Sequence, residues 1–261
     1  MRALSIAATG MQAQQLNVDV ISHNIANMNT TAYKRQRAEF QDMLYQNMER
    51  PGSTSAASGA VLPLGIQIGV GVQADAVGRI TEQGNITQTQ NPYDLAINGR
   101  GFIQVQLPSG QTAYTRAGNL AVNADGEIVT ADGYPIEPSI SVPPEATAIQ
   151  ITRDGIVEVM LAEQTEPQQV GQIELASFIN PAGLEAIGDN LYLETPASGA
   201  PNVATPGSPG LGTLMQGYLE TSNVNAVEEI SALIVAQRAY EMNARVITAA
   251  DEMLQATTQL R

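Results

Sequence analysis

The sequence predicts an α+β, multi-domain chain in which helices at the N- and C-termini pair as a coiled coil and bracket an extended β connecting region and a central all-β domain. Three observations carry this prediction. Apolar residues recur in steps of three and four at both ends of the 261 residues, period-two runs punctuated by Gly-containing turns fill the middle, and two tracts of Pro, Gly, Ser and Ala stand between.

The N-terminal element comes first. Leu4, Ala7, Met11, Gln14, Val18, Ile21, Ile25 and Met28 alternate three- and four-residue steps, the heptad period, and only Gln14 breaks the apolar seam. Gln12, Gln15, Asn17, Asp19, Ser22 and Asn24 make the other face polar and nearly uncharged, and about 30 residues at ~1.5 Å each give a helix of about 40 Å. At the other end Ile230, Leu233, Gln237, Tyr240, Ala244, Ile247, Asp251 and Leu254 repeat the spacing, with Thr221-Ser222-Asn223 offering N-cap side chains and Glu228-Glu229 near the positive end of the dipole. Two arrangements satisfy this pattern equally: a helical hairpin closing one chain, or a coiled coil between chains.

The middle has strand grammar. Residues 94–97 and 101–107 alternate around Asn98-Gly99 and Pro108-Ser109-Gly110, Ala124-Asp125-Gly126 and Ala131-Asp132-Gly133 punctuate the next run, and 149–159 and 171–179 continue it, with Asp154-Gly155 as a turn. These read as hairpins. The tracts 51–65 and 196–212 carry no regular pattern of their own. The chain therefore divides as 1–30 with 225–261 (helical core), 31–91 with 196–224 (connecting region, including an insert at 46–65) and 92–195 (central β domain).

Composition excludes several classes of function. Twelve Lys+Arg against 26 Asp+Glu leave a formal charge of -14, which repels nucleic acid. With no Cys and one His there is no thiolate zinc site, disulfide framework or cysteine nucleophile, and no cofactor is expected. Absence of Cys fits a chain that crosses an oxidising compartment. No stretch approaches the ~18 apolar residues needed to span a bilayer, and the first residues lack the compact apolar core of a cleaved signal.

The motifs that suggest chemistry do not hold. Asn98-Gly99-Arg100-Gly101 begins like a dinucleotide loop but has Gln104 where the third Gly belongs. Asn123, Asp125 and Gly126 imitate half a calcium loop, with Ala121 at its first ligand position and Asp132 in place of the bidentate Glu. A hydrolase triad would have to use His23 on the first helix, and Glu228-Glu229 and Asp251-Glu252 point to different helix faces instead of facing a cleft. No enzyme activity is expected. Lys34, the only Lys, clusters with Arg35 and Arg37 after the first helix, and two readings stand: solvation at a helix-to-loop junction, or donors aimed at acidic patches on other copies of the chain.

Residues 24–35, Asn24-Ile25-Ala26-Asn27-Met28-Asn29-Thr30-Thr31-Ala32-Tyr33-Lys34-Arg35, resemble the N-terminal signature of the flagellar basal-body rod and hook proteins, carried by Asn24, Ala26, Asn27, Thr30, Tyr33 and Lys34. Residues 217–225, followed by Ala236-Gln237-Arg238-Ala239-Tyr240-Glu241, resemble the family's second signature, and 94–102, 114–118 and 190–192 are similar to its middle. Within the family, the tract from Gln46 through Pro51 and Gly52 to Leu64 resembles the insert of the distal-rod class, and a proximal-rod or hook subunit is the alternative. Ala32 stands where the family pattern has Gly, so a positive φ there would cost about 1 kcal/mol or more.

The resemblance implies a non-enzymatic structural subunit that polymerises into a straight, hollow drive shaft in the flagellar basal body, spanning periplasm to outer membrane. Its implied partners are further copies of itself, proximal rod proteins below, hook protein above, the surrounding periplasmic and outer-membrane rings, and the type III export apparatus with a chaperone. The implied self-assembly residues are Leu4, Ala7, Met11, Val18, Ile21, Ile25 and Met28 with Ile230, Leu233, Tyr240, Ala244, Ile247 and Leu254, and the insert is implied to stiffen the shaft.

Overall fold

The computed structural model describes residues 2–49, 65–161 and 166–259. They form two compact units, one drawn from Met1–Ala26, Gln36–Gly78 and Asn225–Arg261, the other from Asn27–Arg35 and Arg79–Val224. Helices and strands are segregated along the chain, as in an α+β, multi-domain fold. The expected insert residues Pro51, Gly52 and Leu64 lie outside the described residues.

In the first unit, α1 (Arg2–Ala26) and α2 (Ala226–Gln259) pack on each other. The buried positions of α1 are Ala7, Ala13, Val20, Ile21 and Asn24; on α2 they include Glu229, Ala236 and Ala250. Small residues let the backbones approach: a Cβ added at Gly10 would meet Asn243 Nδ2 at 2.9 Å. The N-cap of α2 is Asn225, whose Oδ1 accepts from Val227 N at 3.1 Å, with Glu228 and Glu229 in the first turn. This moves the cap from the expected Thr221-Ser222-Asn223, because the Asn223 amide bonds other backbone segments. Strands β1 (Gln36–Asp42), β2 (Tyr45–Glu49), β3 (Ile66–Gly69) and β4 (Val72–Arg79) follow, β1 beside β4 and β2 antiparallel to β3, with Gln46 opposite Ile68.

The second unit contains β5 (Ile86–Gln88), β6 (Leu95–Asn98), β7 (Phe102–Gln106), β8 (Thr112–Thr115), β9 (Leu120–Val122), β10 (Ile128–Thr130), β11 (Ile136–Glu137), β12 (Ala146–Ile151), β13 (Ile156–Leu161), β14 (Gln168–Gln172), β15 (Leu175–Ser177), β16 (Glu185–Gly188), β17 (Leu191–Leu193), β18 (Asn202–Ala204), β19 (Thr213–Gln216) and β20 (Tyr218–Glu220). Its main sheet runs β16-β17-β8-β7-β15-β18, with β11 also on β7, beside a three-stranded sheet β12-β13-β14 and the pairs β9-β10, β6-β19 and β5-β20.

Period-two alternation separates two cores across that sheet. Ile103 and Val105 of β7, Ala113 of β8, Leu175 of β15 and Leu191 of β17 join an aliphatic core with Leu95, Ile97, Val157, Val159 and Leu214. Their sequence neighbours Phe102, Tyr114, Ala176 and Tyr192 form a second, aromatic cluster with Phe178 and Leu184. There Phe102 lies edge-on to Phe178 and Tyr192, with centroids 5.9 Å apart in both pairs, and Tyr114 to Phe178 at 4.8 Å.

Most of the expected turns do join paired strands. Residues 107–111 close β7 on β8, 123–127 close β9 on β10, and 152–155 close β12 on β13. Asn98-Gly99 does not close a hairpin. Gly99 and Gly101 hold φ of 113° and 138°, turning β7 away, and β6 pairs with the distant β19 from Asn98↔Thr213 to Leu95↔Gln216. The tract 196–212 is not structureless either: it supplies β18, directly after Pro201, as an edge strand on β15, where a missing N–H is tolerated.

One close approach lies at the aliphatic core. Leu95 N donates to Gly118 O at 2.8 Å, and a Cβ on Gly118 would lie 1.6 Å from Leu95 O. Gly118→Ala is therefore expected to lower stability by about 3 kcal/mol in urea unfolding, and a loss below about 0.5 kcal/mol would show that this backbone contact yields freely.

Candidate functional site

Two features of the chain can do something beyond holding the fold: the outward face of the helix pair in the first unit, and a buried charge cluster with an adjoining cavity in the second.

On α2 the buried apolar residues are small and the exposed ones large. Ala236 and Ala250 are buried, whereas Val227, Ile230, Ile234, Val235, Tyr240, Met242, Val246, Met253 and Leu254 are exposed, Val227 and Val235 by 74% and 67%. Val227, Ile234, Val235, Met242, Val246 and Met253 recur near whole helical turns on one side of α2, so they form a stripe and not a scatter. Of the sequence-predicted seam, Leu4, Met11, Val18, Ile25, Leu233, Ala244 and Ile247 are half-buried, Ala7 and Ile21 buried, and Met28, Ile230, Tyr240 and Leu254 exposed. An apolar stripe of this length is unusual on a monomer surface and marks a contact surface.

The charge cluster is built on Glu220 at the end of β20. Its Oε1 accepts from Lys34 Nζ at 2.5 Å and from Gly84 N at 3.0 Å, its Oε2 from Arg116 Nε at 2.8 Å, and its backbone O from Ala32 N at 2.8 Å. Lys34 Nζ also donates to Glu82 O at 2.8 Å, and the Arg116 guanidinium donates to the carbonyls of Ile97, Gly99 and Gly101 at 2.8–3.3 Å. All three side chains are buried, and each charge is answered by a counter-charge and backbone groups, the condition under which buried ions persist. Burial pulls the Lys34 ammonium below its ordinary pKa of 10.5, while the hydrogen bond and charge of Glu220 raise it and Arg116 lowers it again.

The first signature segment thus reaches the second. Asn24 on α1 brackets the strand start, its Oδ1 accepting from Gln36 N at 2.9 Å and its Nδ2 donating to Gln36 O at 2.8 Å and Glu229 Oε2 at 3.1 Å. Asn27 and Thr30 make the following turn, Thr30 Oγ1 to Asn27 Oδ1 at 3.1 Å, Ala26 ends the helix exposed, and Tyr33 is buried. Asn223 accepts from Arg35 N at 2.7 Å and donates to Ile80 O and Glu82 O. Ala32 holds φ of 56° at 2% exposure, so the left-handed position implied by the Gly of the family pattern is real and Ala occupies it under strain. Lys34 is not a surface donor; of the three cations after α1, Arg37 is the one at the surface, 2.7 Å from Glu39. Sequence reasoning did not find the roles of Arg116 and Glu220. Their only signal was a place inside segments similar to the family, since pairing partners 104 residues apart leave no local period.

A cavity of about 280 Å³ opens beside the cluster, lined by Lys34, Arg79, Arg100 and Arg116 together with Phe102, Phe178 and Tyr192 of the aromatic core. The Arg79 guanidinium carbon stands 4.6 Å over the Tyr192 ring, and its nitrogens reach Leu184 O at 3.4–3.5 Å. Burial pushes the Tyr192 phenol up, opposed by the charges of Arg79 and Arg116. Among the described residues no group of three or more His, Asp or Glu is gathered where it could hold a metal, and no helix is long and apolar enough to cross a membrane.

Comparison with known proteins matches three family descriptions along the chain. "Flagella basal body rod protein" covers residues 4–34, "Flagellar hook protein FlgE/F/G D1 domain" 96–159 and "Flagellar basal body rod FlgEFG protein C-terminal" 215–260. The chain is similar to the flagellar basal-body rod protein FlgG of Caulobacter vibrioides, 62% identical over the whole of both chains. It is likewise similar to the proteins of that name from Borreliella burgdorferi and Bacillus subtilis, 48% and 38% identical over 100% of this chain and 99% of each relative. The matched terminal segments contain Asn24, Lys34 and Glu220.

Two substitutions test the cluster. Glu220→Gln leaves two buried cations without a counter-charge and should cost about 3–5 kcal/mol, part of it recovered by adding Lys34→Met; equal stability of all three proteins in chemical denaturation would overturn this account. Ala32→Gly should raise stability by about 1 kcal/mol by relieving the positive φ, and a loss of stability would show that Ala32 is not strained.

Proposed function

The chain belongs to the flagellar basal-body rod protein family, and on that premise we propose that it is the structural subunit of the distal rod, the straight, hollow shaft that carries torque from the motor to the hook. The observation that carries this reading is the outward apolar stripe of α2, whose large side chains are exposed among the described residues. Each large side chain buried against another subunit contributes roughly 1.5–3 kcal/mol, so a handful suffice to offset the loss of translational freedom on joining a polymer. A contact between different faces of identical chains does not close, and so it generates an open helical filament.

A division of labour goes with this reading. Residues 1–30 with 225–261 serve as the assembly core, 31–91 with 196–224 as the connecting region, and 92–195 as the central β domain. The assembly residues are those of the terminal seams together with the exposed stripe, and the 46–65 segment is the stiffening insert of a straight shaft. Proximal rod subunits below, hook subunits above, the ring proteins, and the flagellar export apparatus with a chaperone are the proposed partners, in a rod that runs from periplasm to outer membrane.

Electron cryotomography of cell envelopes tests the proposal. A strain deleted for the gene should show basal bodies ending in a short proximal rod with no hook, and a strain carrying Val235→Asp should match it. The purified variant should unfold within about 0.5 kcal/mol of the parent, because Val235 is exposed in the single chain. A complete rod in the deletion strain overturns the function, and a complete rod in the Val235→Asp strain overturns the stripe as assembly surface.

A further inference from the structure

The second unit carries a feature that its own packing does not use. The chain has 26 acids and only 12 Lys+Arg, yet four of those cations, Lys34, Arg79, Arg100 and Arg116, line one cavity of about 280 Å³. Glu220 answers two of them, Lys34 and Arg116. Arg79 makes a cation–π contact and bonds one carbonyl, and neither it nor the exposed Arg100 has an ion pair among the described residues. In a protein with more than twice as many acids as bases, cations concentrated in a concave, partly apolar wall focus positive potential into it.

The rim adds an independent sign. Ile179, which also lines the cavity, is 94% exposed, the most exposed of the large apolar side chains among the described residues, while its neighbour Phe178 is buried in the aromatic cluster. A fully exposed Ile at the mouth of a basic cavity fits a surface that another molecule covers. The cavity demands an anionic group, the rim an apolar neighbour, and a molecule that meets its own copies in large number while carrying a net charge of -14 supplies carboxylates abundantly.

We propose that this cavity receives a carboxylate side chain from a neighbouring copy of the chain, paired with Arg79 and Arg100 while an apolar residue beside that carboxylate covers Ile179. The contact rests on the polymer reading above and adds to it a specific electrostatic link between subunits, one that offsets part of the like-charge repulsion that subunits of net charge -14 impose on each other.

The test compares two charge reversals in the full-length chain. Arg100→Glu removes an exposed cation at the cavity, and Arg153→Glu makes the same change of net charge at an exposed site that does not line it. The concentration at which the chain assembles is read by sedimentation at low and high salt, with thermal unfolding of each variant alongside. Arg100→Glu should raise the assembly concentration about tenfold at low salt and flatten its salt dependence, while Arg153→Glu shifts it less than about twofold. Equal shifts for the two reversals, or none, overturn the cavity contact and leave the polymer reading standing; a parent chain that never assembles overturns both. In the second measurement a photoreactive residue replaces Ile179 and assembly is run on a mixture of isotopically light and heavy chains. Mixed light–heavy crosslinks onto an acidic segment support the contact, and crosslinks confined to one chain or to added phospholipid vesicles overturn it.

Discussion

The buried carboxylate of Glu220 is the constraint on which the second unit depends. It receives the sole lysine of the chain, a guanidinium 104 residues away and the backbone N–H of Gly84, while its own carbonyl receives Ala32 N. A desolvated charge has no indifferent position: it is either fully paired or strongly destabilising. That all-or-none character makes one side chain define the mutual placement of residues 32–34, 82–84, 97–101 and 116. The cavity follows from it, because Lys34 and Arg116 are drawn to the face of the sheet where the aromatic residues already project.

The first unit obeys a different logic. Its helices bury Ala7, Ala13, Val20 and Ile21 of α1 and Ala236 and Ala250 of α2, with the close approach at Gly10, and the polar pair Asn24 and Glu229 is buried with them. Inward small residues shorten the distance between helix axes but bury little apolar area, so the pair alone is modestly stabilised. Large side chains on the outward stripe hold the missing area in reserve for other subunits. A subunit built this way couples its own consolidation to burial of that stripe.

Strain and tightness mark the same places. Ala32 holds a left-handed conformation at the turn between Asn27 and Tyr33 while its N–H is claimed by Glu220, and Gly99 and Gly118 let backbones pass at distances that no Cβ would permit.

Much was legible from residue order alone. Heptad spacing at both ends located α1 and α2, and alternation located the sheet strands and the turns at 108–110, 124–126 and 154–155, because each of these depends on neighbours within a few residues. Segment similarity at 24–35 and 217–225 pointed to the family and to Asn24, Lys34 and the region of Glu220. Tertiary structure alone decided the rest. Whether Asn98-Gly99 closed a hairpin depended on β19 arriving from more than a hundred residues away, and whether 196–212 stayed irregular depended on the open edge of β15. Which face of α2 turned inward depended on the small residues of α1, and the partners of Lys34 and Arg116 depended on where Glu220 came to rest. Periodicity records the geometry of one element, whereas pairing between elements is a property of the closed fold, and no local spacing encodes it.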